Sequence, residues 1–138
     1  MLFAQNYEKS MRNKLIVIID DEEDLLDLME YNFSKEGFKV KAFSRAKKAI
    51  DFLGKKKPDM ILCDWMMPEM NGLELFQYLK LRDQLGGIPF VMVTCRTENS
   101  AVSQAFSLGV TEYIKKPIPI RDLISKVSSL MDNPPARA

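Results

Sequence analysis

"MILCDWMMPEMNG", residues 60–72, decides the fold. Its first four residues form a continuous apolar run, the pattern of a strand buried on both faces of a sheet, and the run ends on a carboxylate, Asp64. A strand that only fills a core has no use for an acid at its tip. The segment therefore joins a buried strand to a site. Pro68 and Gly72 shape the loop that leads away from it, and Trp65, Met67 and Met70 read as apolar cover for that loop.

The same pattern recurs along the chain. "KLIVIID" (14–20), "IPFVMVT" (88–94) and "VTEYIK" (110–115) are further β-favouring runs. "FKVKAF" (38–43) differs, because Phe38, Val40 and Ala42 alternate with Lys39 and Lys41; one polar face marks an edge strand. Helical spacing fills the gaps. Residues 22–37 place Leu25, Leu26, Met29 and Phe33 on one stripe, with Gly37 where a helix ends. Ser44 reads as the cap of a helix to Leu53, and further helices run from Leu73 to Leu85, Thr97 to Leu108 and Pro119 to Met131. Strand and helix thus alternate along the whole chain. This predicts an α/β fold with an open five-stranded parallel sheet and helices on both faces, a (βα)5 arrangement. The domain spans 14–131, with 1–13 as an extension and 132–138, "DNPPARA", as a linker-like tail.

Composition excludes several functions. The 138 residues suffice for one core, and 20 basic against 19 acidic side chains give no general affinity for nucleic acid or membrane. No apolar run reaches the ~20 residues a bilayer span requires, and "MLFA" is too short for a signal peptide, so a cytoplasmic protein is expected. Cys63 and Cys95 lie in apolar runs and read as reduced core thiols. Charge is instead segregated. Residues 20–30 carry seven acids and no base, whereas 35–57 carry nine bases against Glu36 and Asp51, the latter block reading as a solvated face.

Open parallel sheets place their sites outside the carboxyl ends of the strands. There the first strand ends in Asp20 and Asp21, the third in Asp64 and the fourth in Thr94, while the fifth leads into Lys116 and Pro117. Taken singly, these residues have simpler readings as a helix cap, a turn acid, a β-former and a solvated lysine. Their convergence on one rim overrides those readings. Two carboxylates about 4 Å apart repel by about 4 kcal/mol at an effective dielectric of about 20, so three need a cation or protons. Carboxylate oxygens suit Mg²⁺; zinc would want His or Cys, and the chain has no His. A metal held by Asp21 and Asp64, with Asp20 acting through water, would leave positions for a phosphoryl group. Asp64 could then attack phosphorus, with Lys116 and Thr94 carrying charge on the phosphoryl oxygens.

"IIDDEEDL", "ILCDWMMPEMNGLEL", "IPFVMVTC" and "YIKKPI" resemble the receiver domain of bacterial two-component response regulators over residues 14–131. The resemblance implies the flavodoxin-like strand order 2-1-3-4-5. It also implies that Asp64 accepts a phosphoryl group from a phosphohistidine on a sensor histidine kinase or histidine phosphotransfer protein. Asp20, Asp21, Asp64 and the backbone carbonyl of Met66 would hold Mg²⁺, and Lys116, before a cis peptide bond to Pro117, would contact the phosphoryl group. Thr94 and Tyr113 match the switch pair, in which the hydroxyl moves toward the phosphate and the ring turns inward. The signal would be read on helix 4, strand 5 and helix 5 by a protein output partner, with no direct nucleic-acid contact and no membrane insertion. Such a chain would be a signalling phosphoacceptor that catalyses only its own phosphorylation and dephosphorylation. Its own departures carry expectations too. Met66 offers no polar side chain to orient a hydrolytic water, which predicts a long-lived phosphoryl group. Arg96 lines the same approach in family members, and Cys95 stands where the family usually has Ala or Gly, so that its volume could narrow donor access.

Three alternatives have distinct signatures. A haloacid-dehalogenase-like phosphatase needs its nucleophile on strand 1 with a second Asp two residues later, where this chain has Glu22 after Asp20. A flavodoxin-like FMN binder should offer hydroxyls and amides after strand 1 rather than acids. A phosphorylation-independent interaction module would not need the full acid set.

Overall fold

The structure is a computed structural model and describes residues 13–132. Five strands, β1 (Leu15–Ile19), β2 (Lys39–Phe43), β3 (Met60–Cys63), β4 (Phe90–Thr94) and β5 (Glu112–Lys115), form one parallel sheet in the order 2-1-3-4-5. Five helices connect and cover them: α1 (Glu23–Lys35), α2 (Ala46–Leu53), α3 (Gly72–Leu81), α4 (Asn99–Leu108) and α5 (Ile120–Asp132). This is the open parallel sheet read from the strand and helix pattern, in the flavodoxin-like strand order that the resemblance implied.

The continuous apolar strands are explained by a core on each face. Val17, Ile19, Ile61, Cys63, Phe90 and Met92 point to one side, where Ala49, Leu53, Leu75, Phe76, Leu79, Ala101 and Ala105 of α2, α3 and α4 meet them. Ile16, Ile18, Met60, Leu62, Val91 and Val93 point to the other, against Leu26, Met29 and Phe33 of α1 and Leu123 and Val127 of α5. β2 lies at the sheet edge with Lys39 and Lys41 exposed, so its alternation was a true edge signal.

Several boundaries differ from the sequence reading. α2 begins at Ala46 with Arg45 at the cap position and no side-chain cap bond, so Ser44 is not its N-cap. α3 stops at Leu81: Arg82 caps it, Asp83 turns to φ +53°, and the Gln84 amide donates to the Leu79 carbonyl at 2.9 Å. Leu85 still packs against the core from the following loop, which is why helical spacing appeared to continue to it. At its start α3 carries a reciprocal capping box that the sequence reading passed over. The Glu74 amide donates to Asn71 Oδ1 at 2.8 Å and the Asn71 amide to Glu74 Oε1 at 3.0 Å. The segments 1–12 and 133–138, and with them nearly all of the expected extension and tail, lie outside the described residues. Among the described residues no helix is long and apolar enough to cross a membrane.

Candidate functional site

The sheet's hydrogen bonding runs one residue past β1, β3 and β5 and so sets the site. The Asp20 amide donates to the Phe43 carbonyl at 3.0 Å, the Asp64 amide to Ile19 at 2.9 Å and the Lys116 amide to Thr94 at 2.9 Å. The two acids and the lysine therefore stand on the rim as extensions of β1, β3 and β5. Asp20 is 1% exposed and Asp64 7%, whereas Asp21 points to solvent. Carboxylate oxygens of Asp20, Asp21 and Asp64 all lie within 4.8 Å of one another.

Lys116 closes this group from the β5 side. Its Nζ lies 2.7 Å from Asp20 Oδ2 and 3.1 Å from Asp64 Oδ2, with Glu22 at 3.9 Å. The remaining oxygens of the buried acids are met by backbone. Asp20 Oδ1 accepts from the Glu22 amide at 2.9 Å, and Asp64 Oδ1 from the Met66 amide at 3.1 Å. Burial pushes the Asp20 carboxyl above its ordinary pKa, against the hydrogen bonds from Lys116 and Glu22. Burial also pulls on the Lys116 ammonium, but its contacts with Asp20 and Asp64 outweigh that and hold it above the ordinary lysine value. The lysine thus stays charged. One ammonium against three clustered carboxylates leaves negative charge uncompensated, in a set of hard oxygen donors without His or Cys. That donor set fits a hard divalent cation such as Mg²⁺.

Gly72 decides how closely the loop after β3 can fold back. A Cβ built there would sit 2.2 Å from the Asp64 carbonyl oxygen and 3.0 Å from the Trp65 Cα, and the Gly72 amide donates to the Trp65 carbonyl at 2.8 Å. Its role is close approach of backbone to backbone, beyond the turn-forming role read from sequence. Trp65 and Asp64 are buried by this loop, Met67 and Met70 pack partly against the core, and Met66 remains 60% exposed at the mouth.

Thr94 is fully buried, and its Oγ1 accepts from the Arg96 amide at 3.2 Å. Tyr113 stands apart from the acids: its ring is buried edge-on to Trp65, with centroids 6.4 Å apart, and its hydroxyl donates to the Arg96 carbonyl. The Arg96 guanidinium lies over the Trp65 ring, 4.4 Å from its centroid, and pairs with Glu98 at 3.1 Å. Sequence reasoning missed this cluster, since no local spacing links Trp65 to Arg96.

The two thiols part company. Cys63 is buried, and burial pushes its thiol pKa well up, followed by the charges of Asp64 and Asp20. Cys95 is exposed, which corrects its reading as a core thiol: β4 ends at Thr94, and the apolar run outlasts the strand by one residue. Cys95 instead lines an apolar cavity of about 260 Å³ with Leu25, Met29, Lys116, Pro117 and Ile120. The Lys116–Pro117 peptide is cis, as the resemblance implied.

A doubly wound parallel sheet with an acid triad and a lysine at the carboxyl ends of its strands defines a receiver-type signalling domain. The family model of the response regulator receiver domain matches residues 16–128, and the chain belongs to that family. Among curated relatives, the phosphate regulon transcriptional regulatory protein PhoB of Rhizobium meliloti (strain 1021) is 33% identical over 84% of this chain and 51% of its own length. The response regulator SaeR of Staphylococcus aureus (strain USA300) is 36% identical over 84% of this chain and 50% of its own. The chain thus spans about half the length of these relatives. A CheY-like receiver domain protein from Methanospirillum hungatei JF-1 superposes with a TM-score of 0.79 at 29% identity, covering 87% of this chain and 94% of that one. A two-component response regulator from Clostridium difficile shares the fold, with a TM-score of 0.81 at 22% identity over 90% of this chain and all of the other.

Proposed function

We propose that this chain is a Mg²⁺-dependent phosphoacceptor. Asp64 takes a phosphoryl group from the phosphohistidine of a sensor histidine kinase or histidine phosphotransfer protein, and the face formed by α4, β5 and α5 passes the change to a protein output partner. An Asp64 carboxylate oxygen bonds to phosphorus as the phosphorus–nitrogen bond breaks, and the imidazole leaves with the electron pair. Asp20, Asp21, Asp64 and the Met66 carbonyl would hold Mg²⁺, which supplies charge neutralisation at the phosphoryl oxygens. Lys116 orients Asp64 and offers its ammonium to the incoming group. Thr94 turns its hydroxyl from the Arg96 amide toward the phosphoryl group, and the loop after β4 passes the change to the output face beside Tyr113, the other member of the switch pair. The chain would catalyse only its own phosphorylation and dephosphorylation. A phosphohistidine formed from ATP is a cytoplasmic donor, and the cytoplasm is the compartment this reading implies.

The observation that carries the reading is the cluster of Asp20, Asp21 and Asp64 closed by Lys116 at 3.1 Å from the Asp64 carboxylate. Phosphotransfer from a panel of purified autophosphorylated kinases is the test. At least one kinase should label the wild-type chain in Mg²⁺, with no label in EDTA or in Asp64→Asn. Equal labelling of Asp64→Asn, with loss in Asp20→Asn, would instead favour a phosphatase-type nucleophile on β1.

The exposed Met66 side chain at the mouth leaves attacking water without a polar partner. The phosphoryl group should accordingly persist for minutes or longer after donor removal. Met66→Glu should accelerate its loss by about a hundredfold, the low end of the range for a positioned acid–base group. A wild-type lifetime of seconds that the substitution leaves unchanged would refute this.

A further inference from the structure

The loop between β4 and α4 carries a residue that contacts both sides of the switch. Arg96 donates its amide to Thr94 Oγ1, offers its carbonyl to the Tyr113 hydroxyl, lays its guanidinium over Trp65, next in sequence to Asp64, and pairs with Glu98. Glu98 is itself the cap residue of α4. Trp65 in turn packs edge-on against Tyr113, so Arg96, Trp65 and Tyr113 close a three-membered ring of contacts around the loop.

We propose that Arg96 is a positioning residue that latches the output face ahead of phosphoryl transfer: its guanidinium, stacked on Trp65, fixes the loop so that Tyr113 stays inward. The inference rests on the phosphoacceptor reading and adds a regulatory device to it. The argument is geometric. A carbonyl can hold a tyrosine hydroxyl only if the peptide carrying it is itself held, and this peptide's loop has no regular structure between Thr94 and Asn99. The cation over the Trp65 face, together with the Glu98 pair, supplies the hold from the side chain. The Arg96 side chain is 39% exposed, so it is attached to the fold by these contacts rather than buried in it. In a latched chain, phosphorylation need not draw the ring inward. What remains is for the Thr94 hydroxyl to leave the Arg96 amide. The output face therefore has substantial basal competence, and removing the latch should enlarge the response to phosphorylation rather than abolish it.

The test uses the full chain carrying 3-fluorotyrosine, with the Tyr113 resonance assigned by Tyr113→Phe, and acrylamide quenching of Trp65, the one tryptophan of the sequence. In the wild type the Tyr113 resonance should barely move when Mg²⁺ and beryllofluoride, a phosphoryl mimic, are added. In Arg96→Ala the outward ring should gain roughly fivefold in population, the Boltzmann weight of one such cation–π contact, and Trp65 should quench more readily. Beryllofluoride should then return the resonance to the wild-type position. Arg96→Lys, which keeps a cation over the ring, should recover at least half of the change. A wild-type resonance and wild-type quenching in Arg96→Ala would overturn the latch. An Arg96→Ala shift in a chain that no phosphohistidine donor labels would keep the latch and overturn the phosphoacceptor reading, so the two failures are distinguishable.

Discussion

Replacing Lys116 by methionine is expected to destabilise the metal-free protein by about 3 kcal/mol, the low end of the cost of stripping one partner from a buried ion pair. The ammonium is the only side-chain cation that the described residues place against the carboxylates of both Asp20 and Asp64, at 2.7 and 3.1 Å. Its side chain and both of theirs are at least nine-tenths buried, so water cannot replace it. Methionine keeps the length and apolar stem of lysine, which isolates the charge from the packing. Urea denaturation in EDTA should show the loss as a lower midpoint with an unchanged slope. Millimolar Mg²⁺ should restore most of it, and should stabilise the variant more than the wild type, because the metal would then be the sole counterion. Phosphotransfer to the variant should fall by at least tenfold even where the fold is restored, since on the proposed reading the ammonium would also face the incoming group. An unchanged midpoint in EDTA would overturn this account of the buried ion pair.

Gly72→Ala should cost about 3 kcal/mol, the upper part of the usual range for overpacking, although it adds a single methyl group. That methyl would stand 2.2 Å from the Asp64 carbonyl oxygen, and its next neighbours, the Asp64 carbonyl carbon and the Trp65 Cα, are backbone as well. No side chain can rotate away to make room. Either the start of α3 moves outward or the peptide after Asp64 does, and the second displaces the acid. The variant should consequently lose Mg²⁺ affinity and phosphotransfer beyond what its lowered stability explains. A Mg²⁺ titration followed by Trp65 fluorescence, at a temperature where the variant is folded, separates the two effects. Wild-type stability in Gly72→Ala would show that the close approach does not exist in solution.

The fold was legible where burial dictates composition. Strands buried on both faces must be apolar throughout, and "LIVII", "MILC" and "FVMVT" are; the edge strand β2 must alternate, and it does. The acids and the lysine were legible because the doubly wound sheet brings strand ends together whatever lies between them. Features failed to show where an apolar residue lies near the core without belonging to an element. Leu85 extended the apparent third helix past Leu81, and Cys95 was assigned to the core because the apolar run outlasts β4. The Asn71–Glu74 capping box is written in the sequence as N-x-x-E, beside a Pro68 and a Gly72 that read as turn residues. The closeness of Gly72 to Asp64, and of Arg96 to Trp65, had no local signature at all, since both depend on how loops fold back across the rim.

The continuation of the sheet ladder through the Asp20 and Asp64 amides gives the domain a stationary side and a moving side. Asp64 is bolted to Ile19 and Asp20 to Phe43, so the proposed phosphoacceptor sits on the stator, the central sheet, where a fold opens least readily. Chemistry there cannot be absorbed by recoil of the acid itself. On the phosphoacceptor reading the compliance lies across the rim, in the residues between Thr94 and Asn99 that side-chain contacts rather than a ladder hold, and phosphoryl transfer to Asp64 would act on them.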